Sequence, residues 1–281
     1  MLSLKLANWA AKHGHSLPAP PRPNGYDELL AAASEVKPPP DDLSELTAEQ
    51  IRRLAEQNRA AIEHARKALQ MESRVSVKPT KLWDDQHEED VKRLRRLAVA
   101  LGVESRAQLL NQHTNEAACC GLDTLRLAEF MRKGGLITDG IQSLVVEVIG
   151  IALLRAEVSQ LDAGFCREAA SGMEALNDSR ETPEATFATE KAWSAQRFGL
   201  VDWVGRLVMK QANAKREAKY IERSDEVIRR SQHLMIWLAA HAYEQDNQRR
   251  PESVSALVPR YLKAVPRDAE TGKEVPIQES N

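Results

Sequence analysis

Apolar side chains recur at intervals of three and four over most of this chain, the spacing that lines one face of an α-helix. The clearest start is Thr47-Ala-Glu-Gln50, a capping box, after which Ile51, Leu54, Ile62, Ala65 and Leu69 follow with Asn58 in the same register. Residues 75–79 interrupt as an extended connector. A second helix is predicted over 85–101, with Val91, Leu94, Ala98 and Leu101 on one face and Gly102 as its stop. A third covers 105–132 and ends at Gly134-Gly135. Residues 136–161 form the most apolar helix: Leu144, Val145, Val146, Val148, Ile149, Ile151, Leu153 and Leu154 cover most of its circumference, as expected of a central element.

Beyond it, Asp162 caps a helix to about residue 177, and Thr182-Pro183 opens another, with proline where a missing N–H costs least. A charged helix over 210–222 leads into 225–245, striped by Val227, Ile228, Ser231, Leu234, Met235, Leu238 and Ala242. The one strand candidate is a short piece near Val275, and no sequence repeat of fixed period is found. The pattern predicts an all-α antiparallel array of eight to ten helices, with 136–161 central.

The two ends differ from the middle. Prolines at 18, 20, 21 and 23 and again at 38–40 bracket a short helix over 26–35, which reads as a spacer leading into the body of the protein. At the other end the last long helix closes near Asp246-Asn247. Pro251 starts a short helix, Pro259 stops it, and Tyr261-Leu262 dock back onto the long helix, with a turn over 268–272. Val254, Leu257, Val258, Tyr261 and Leu262 are the expected anchors. The chain therefore divides into a proline-rich segment (1–46), a helical core (47–223), and a long helix with a C-terminal module (224–281).

Composition narrows the function classes. At 281 residues the chain can hide about 75% of the surface its unfolded form would expose. Thirty-nine Lys and Arg stand against 41 Asp and Glu, a net charge of −2, which offers no basic excess for phosphate neutralisation; no nucleic-acid partner is expected. The basic run Lys92-Arg93-Leu94-Arg95-Arg96 follows Glu88-Glu89-Asp90, so it reads as a solvated face of i,i+4 pairs. Cys119, Cys120 and Cys166 make no disulfide framework. No secretory signal is expected, and no membrane span, because the run 144–154 is short and carries Glu147.

Candidate chemistry is sparse. Glu147 is the one candidate catalytic residue: a carboxylate inside the most apolar helix must be paired or protonated. Its face carries Gly140, Ser143, Gly150 and Ile151, small enough to admit another helix or leave a pocket. A general acid and a structural ion pair with Arg or Lys of a neighbouring helix are both open readings. His13, His15, His64, His87, His113, His233 and His241 match no metal-ligand spacing, and no nucleophile elbow, phosphate loop or dinucleotide fingerprint is present, so neither metal nor cofactor is expected. Trp193 and Trp237 read as core or groove residues.

The tail from Leu238 to Asp268 resembles the segment after the long helix of type II secretion major pseudopilins, in its order of proline-opened short helix, Leu257-Val258, Tyr261-Leu262 and Pro266-x-Asp268. Ala269 and Glu270 depart from that pattern, and neither a prepilin leader nor a calcium loop is recognised, so pilus assembly is not expected. The whole chain resembles a family of uncharacterised bacterial helical proteins ending in this module, through the motif at 9–14 (Trp-Ala-Ala-Lys-His-Gly), the proline-rich segment, the motifs at 127–137 and 146–152, and the tail. That resemblance implies a cell-envelope setting and an N-terminal membrane anchor in other members. The function expected is a non-enzymatic helical scaffold that holds a protein or peptide; the alternative is a hydrolase using Glu147 with a histidine from another helix.

Overall fold

The computed structural model describes residues 17–40, 45–199, 210–268 and 271–277. Among these, eight α-helices account for nearly all the regular structure: α1 Gly25–Glu35, α2 Ala48–Ala68, α3 Lys81–Leu110, α4 Thr114–Arg132, α5 Ile137–Glu157, α6 Ala163–Asp178, α7 Pro183–Phe198 and α8 Lys210–Asn247. Short 3₁₀ turns follow α5 (Val158–Gln160) and lie in the tail (Val254–Leu257). The protein is an all-α helical array. The strand expected near Val275 is reduced to a single antiparallel bridge between Arg267 and Glu274.

Local signals set most helix starts. Thr47 Oγ1 accepts from Gln50 N at 3.3 Å while Gln50 Oε1 accepts from Thr47 N at 2.8 Å, the reciprocal box expected from the sequence. Asp162 Oδ1 accepts from Phe165 N at 2.9 Å to start α6, and Pro183 is the first residue of α7. Several boundaries are corrected: α4 starts at Thr114 rather than at 105, and the stretches expected as 210–222 and 225–245 form the single helix α8. Gly102 does not stop a helix: α3 runs through it to Leu110, and the break falls at 111–113, where Gln112 takes φ +63°. A mid-helix glycine costs only about 1 kcal/mol. Here Leu101, Val103, Ser105 and Ala107 are all buried beside it, so packing carries the helix across. Ser105 Oγ donates to Ala117 O at 3.0 Å and ties the two helices after the turn.

Two apolar clusters make up most of the interior. One joins Leu122, Leu154, Leu161, Met173, Leu238 and Leu257, drawn from α4 to α6, α8 and the tail. The other joins Leu29, Ile62, Leu94, Leu101, Leu127 and Val146, drawn from α1 to α5. Helices α4 and α5 feed both, so the predicted central helix is indeed the shared wall. Its outer stripe is open, however, with Val145 44% exposed. By length and composition the stretch Ile137–Gln160 could cross a membrane, yet 56% of its most apolar window is buried inside the protein, as in a core helix.

The α4–α5 contact is close because glycines face each other. A Cβ on Gly121 would stand 2.9 Å from Leu154 N, and one on Gly150 would stand 3.0 Å from Gly121 O. Gly140 likewise leaves the space that the Tyr220 ring of α8 occupies. Small residues on the Glu147 face thus admit neighbouring helices on both sides. The first segment packs into the body as well: Asn24 Nδ2 donates to Arg74 O at 3.0 Å, and α1 buries Tyr26, Leu29, Ala32 and Ala33.

The tail is docked as expected. Leu257, Tyr261 and Leu262 are buried, Tyr261 Oη donates to Asp246 at 3.0 Å, and Lys263 N donates to Glu174 Oε1 at 2.8 Å. The short helix begins at Val254 rather than at Pro251.

Candidate functional site

Burial in the most apolar helix leaves Glu147 4% exposed, so its charge must be met from within. It is met twice. Arg132 Nη1, from the last turn of α4, donates to Oε2 at 3.1 Å; Arg180 Nη2, from the turn between α6 and α7, donates to Oε1 in a very short contact. Arg132 also forms a short ion pair with Glu129, one turn back on α4, and reaches Ser143 Oγ at 3.4 Å. Two carboxylates and two guanidiniums therefore alternate through the interior where α4, α5 and the α6–α7 turn meet.

The electrostatics follow from this alternation. For Arg132, burial works against the cation, but Glu147 and Glu129 outweigh it and hold its pKa above the ordinary value. For Arg180, burial dominates and lowers the pKa despite Glu147. Glu181 accepts from Gly134 N at 2.7 Å, and burial raises its carboxyl pKa. Burial likewise raises the Tyr220 phenol. A small pocket opens beside these ions, walled by Glu129, Arg132, Arg180, Asn177 and Ser231, with room for about one water molecule.

The structure brings no described histidine to Glu147. His64 lies between Glu35 and Glu28, at 3.0 and 3.2 Å, and those bonds raise its pKa. His113 pairs with Gln108 and His241 with Gln245. Burial lowers the pKa of His233. His13 and His15, with Trp9 and Trp203, lie outside the described residues. All three cysteines are free, and no group of three or more His, Cys, Asp or Glu suited to a metal ion occurs among the described residues.

Two features escaped the sequence. One is the set of partners around Glu147: Glu129 and Arg132 belong to the motif at 127–137 and Glu147 to that at 146–152, so two quoted motifs converge on one cluster, but nothing local marks Arg180. The other is a buried pair, His87 Nε2 to Asp139 Oδ1 at 2.6 Å, whose second oxygen accepts from Leu136 N at 2.7 Å to cap α5. Asp139 stands three residues after Leu136, a capping position that could have been found. His87 stacks on Trp83 with ring centroids 4.2 Å apart. From there a row of rings reaches the surface: Trp83 to Trp193 at 6.4 Å and Trp193 to Phe198 at 5.8 Å. Trp193 Nε1 donates to Lys78 O at 3.1 Å, and Arg197 pairs with Asp84 at 3.4 Å, pinning α7 to the start of α3.

The fold and site together define an all-α array built round an interior ion cluster, with an aromatic row running out to solvent. Comparison with protein-family models, curated proteins and solved structures returned no match.

Proposed function

We propose that this protein is a non-enzymatic helical scaffold of the bacterial cell envelope that holds a protein or peptide on the patch formed by Leu82, Trp83, Trp193 and Phe198. One observation carries the reading: among the described residues few large apolar side chains are exposed, yet Phe198, at the outer end of the aromatic row, is 45% exposed, and Leu82, next to Trp83 in the chain, is 77% exposed. Aromatic side chains held by neighbours lose little entropy on contact, which is why they recur as anchors of protein interfaces. The envelope setting is supported by the resemblance of the N-terminal motif and the tail. The alternative hydrolase lacks support at Glu147, whose two oxygens are occupied by guanidiniums rather than offered to a substrate.

A photo-crosslinking amino acid placed at position 82 or 198, in cells that express the protein natively, tests this. The expected result is one protein or peptide adduct shared by both positions, retained in the envelope fraction, missing when the probe sits at Glu56 on α2, and weakened by Trp193→Ala. Equal labelling at the Glu56 position, or no adduct at either patch position, would overturn the proposal.

A further inference from the structure

The interior ion cluster is not closed by its own members. Glu129 Oε1, Arg132 Nε, and Arg180 Nε and Nη1 are buried and find no partner within the protein. Their side chains are only 6%, 3% and 10% exposed, so bulk water does not satisfy them. All three residues line a small pocket walled by α4, α6 and α8, with Glu147 of α5 at its edge. Orphaned buried donors and acceptors are rare because each forfeits its hydration without replacement.

We infer that this pocket binds a single water molecule, which donates to Glu129 Oε1 and accepts from the free N–H groups of Arg180 and Arg132. Size sets the upper limit, since the space holds about one such molecule. Charge selects a neutral occupant. Two guanidiniums already face the carboxylates of Glu129 and Glu147, and Glu181 adds a third acid nearby, so an anion would bring surplus negative charge into a poorly solvated interior. A cation would meet three unpaired donors. The orphan set contains both donors and an acceptor, and water supplies both roles within one heavy atom. The bound molecule links α4 to the α6–α7 turn, completing a bridge that the side chains leave open. This inference stands apart from the surface patch and does not depend on it.

A crystal structure of the full chain, at a resolution that shows ordered solvent, decides it. One isolated density peak within hydrogen-bond reach of Glu129 Oε1 and an Arg180 nitrogen is expected. An empty pocket, or density for a larger group, would overturn the inference. A second crystal soaked in sodium bromide should show no anomalous peak there; bromide between the arginines would mean an anion site and overturn it equally. In solution, Ser231→Leu should fill the pocket and remove one long-lived water from the count given by water relaxation dispersion. An unchanged count in a folded variant would contradict the assignment.

Discussion

Replacing Glu147 by glutamine keeps the shape of the side chain and removes the charge that holds Arg132 and Arg180. Arg132 retains Glu129, whereas Arg180 is left 10% exposed and facing an amide whose NH₂ group is itself a donor. Breaking a buried pair from one side costs about 3–5 kcal/mol, most of it the penalty of an uncompensated ion. Unfolding entropy of about 2.1 cal/mol/K per residue over 281 residues gives about 0.6 kcal/mol/K, so the melting temperature should fall by about 5–8 °C. Calorimetry with urea denaturation measures this, and far-UV circular dichroism checks that the helix content is unchanged. The double variant Glu147→Met, Arg180→Met should lose less than the two single variants added together, because removing both charges leaves neither stranded. A Glu147→Gln protein melting within about 2 °C of wild type, a change of about 1 kcal/mol, would refute the account of the cluster as a mutually dependent set.

Three further predictions follow from burial and close approach. Gly121→Ala and Gly150→Ala should each destabilise by about 1–3 kcal/mol, since the added methyl meets backbone of the facing helix, whereas Gly172→Ala on α6, with nothing within 4 Å, should stabilise by about 0.5–1 kcal/mol; urea midpoints of the three would show the opposite signs. Burial pushes the thiols of Cys120 and Cys166 up to about 12, so iodoacetamide near neutral pH should label the native protein only at half-buried Cys119 and the denatured protein at all three, read by intact mass. Burial also raises Glu181, so the folded state holds that proton more tightly than the unfolded one; its contribution is full below the ordinary glutamate value and is lost as pH rises through the raised value. Glu181→Gln can still accept from Gly134 N and should therefore gain on wild type between about pH 4 and pH 7, measured by urea melts across that range.

Three helix starts were legible along the chain because they are local, whereas the starts expected at 105 and 225 fall inside longer helices. The capping box at Thr47, the Asp162 cap and the Thr182-Pro183 opening each close a hydrogen bond within a few residues, and the structure shows them where the sequence placed them. The docked tail was legible for a related reason: Leu257, Tyr261 and Leu262 are too apolar to leave in water, and the long helix is the surface within reach. The boundary at Gly102 was not, because a small local preference for a break is outweighed by buried neighbours that only the folded chain supplies.

Glu147 marks the same division most sharply. Its position in an apolar helix announced that a charge had to be met, which is a matter of solvation and can be read from residue types alone. What meets it was decided by the tertiary structure, which carries Arg132 from 15 positions away and Arg180 from 33 into the same interior. The aromatic row from His87 to Phe198 likewise joins helices separated by about a hundred residues. Helical periodicity follows from bonds to near neighbours in the chain. Pairing of charges and rings across helices depends on which faces the packed core brings together, and no local pattern encodes that.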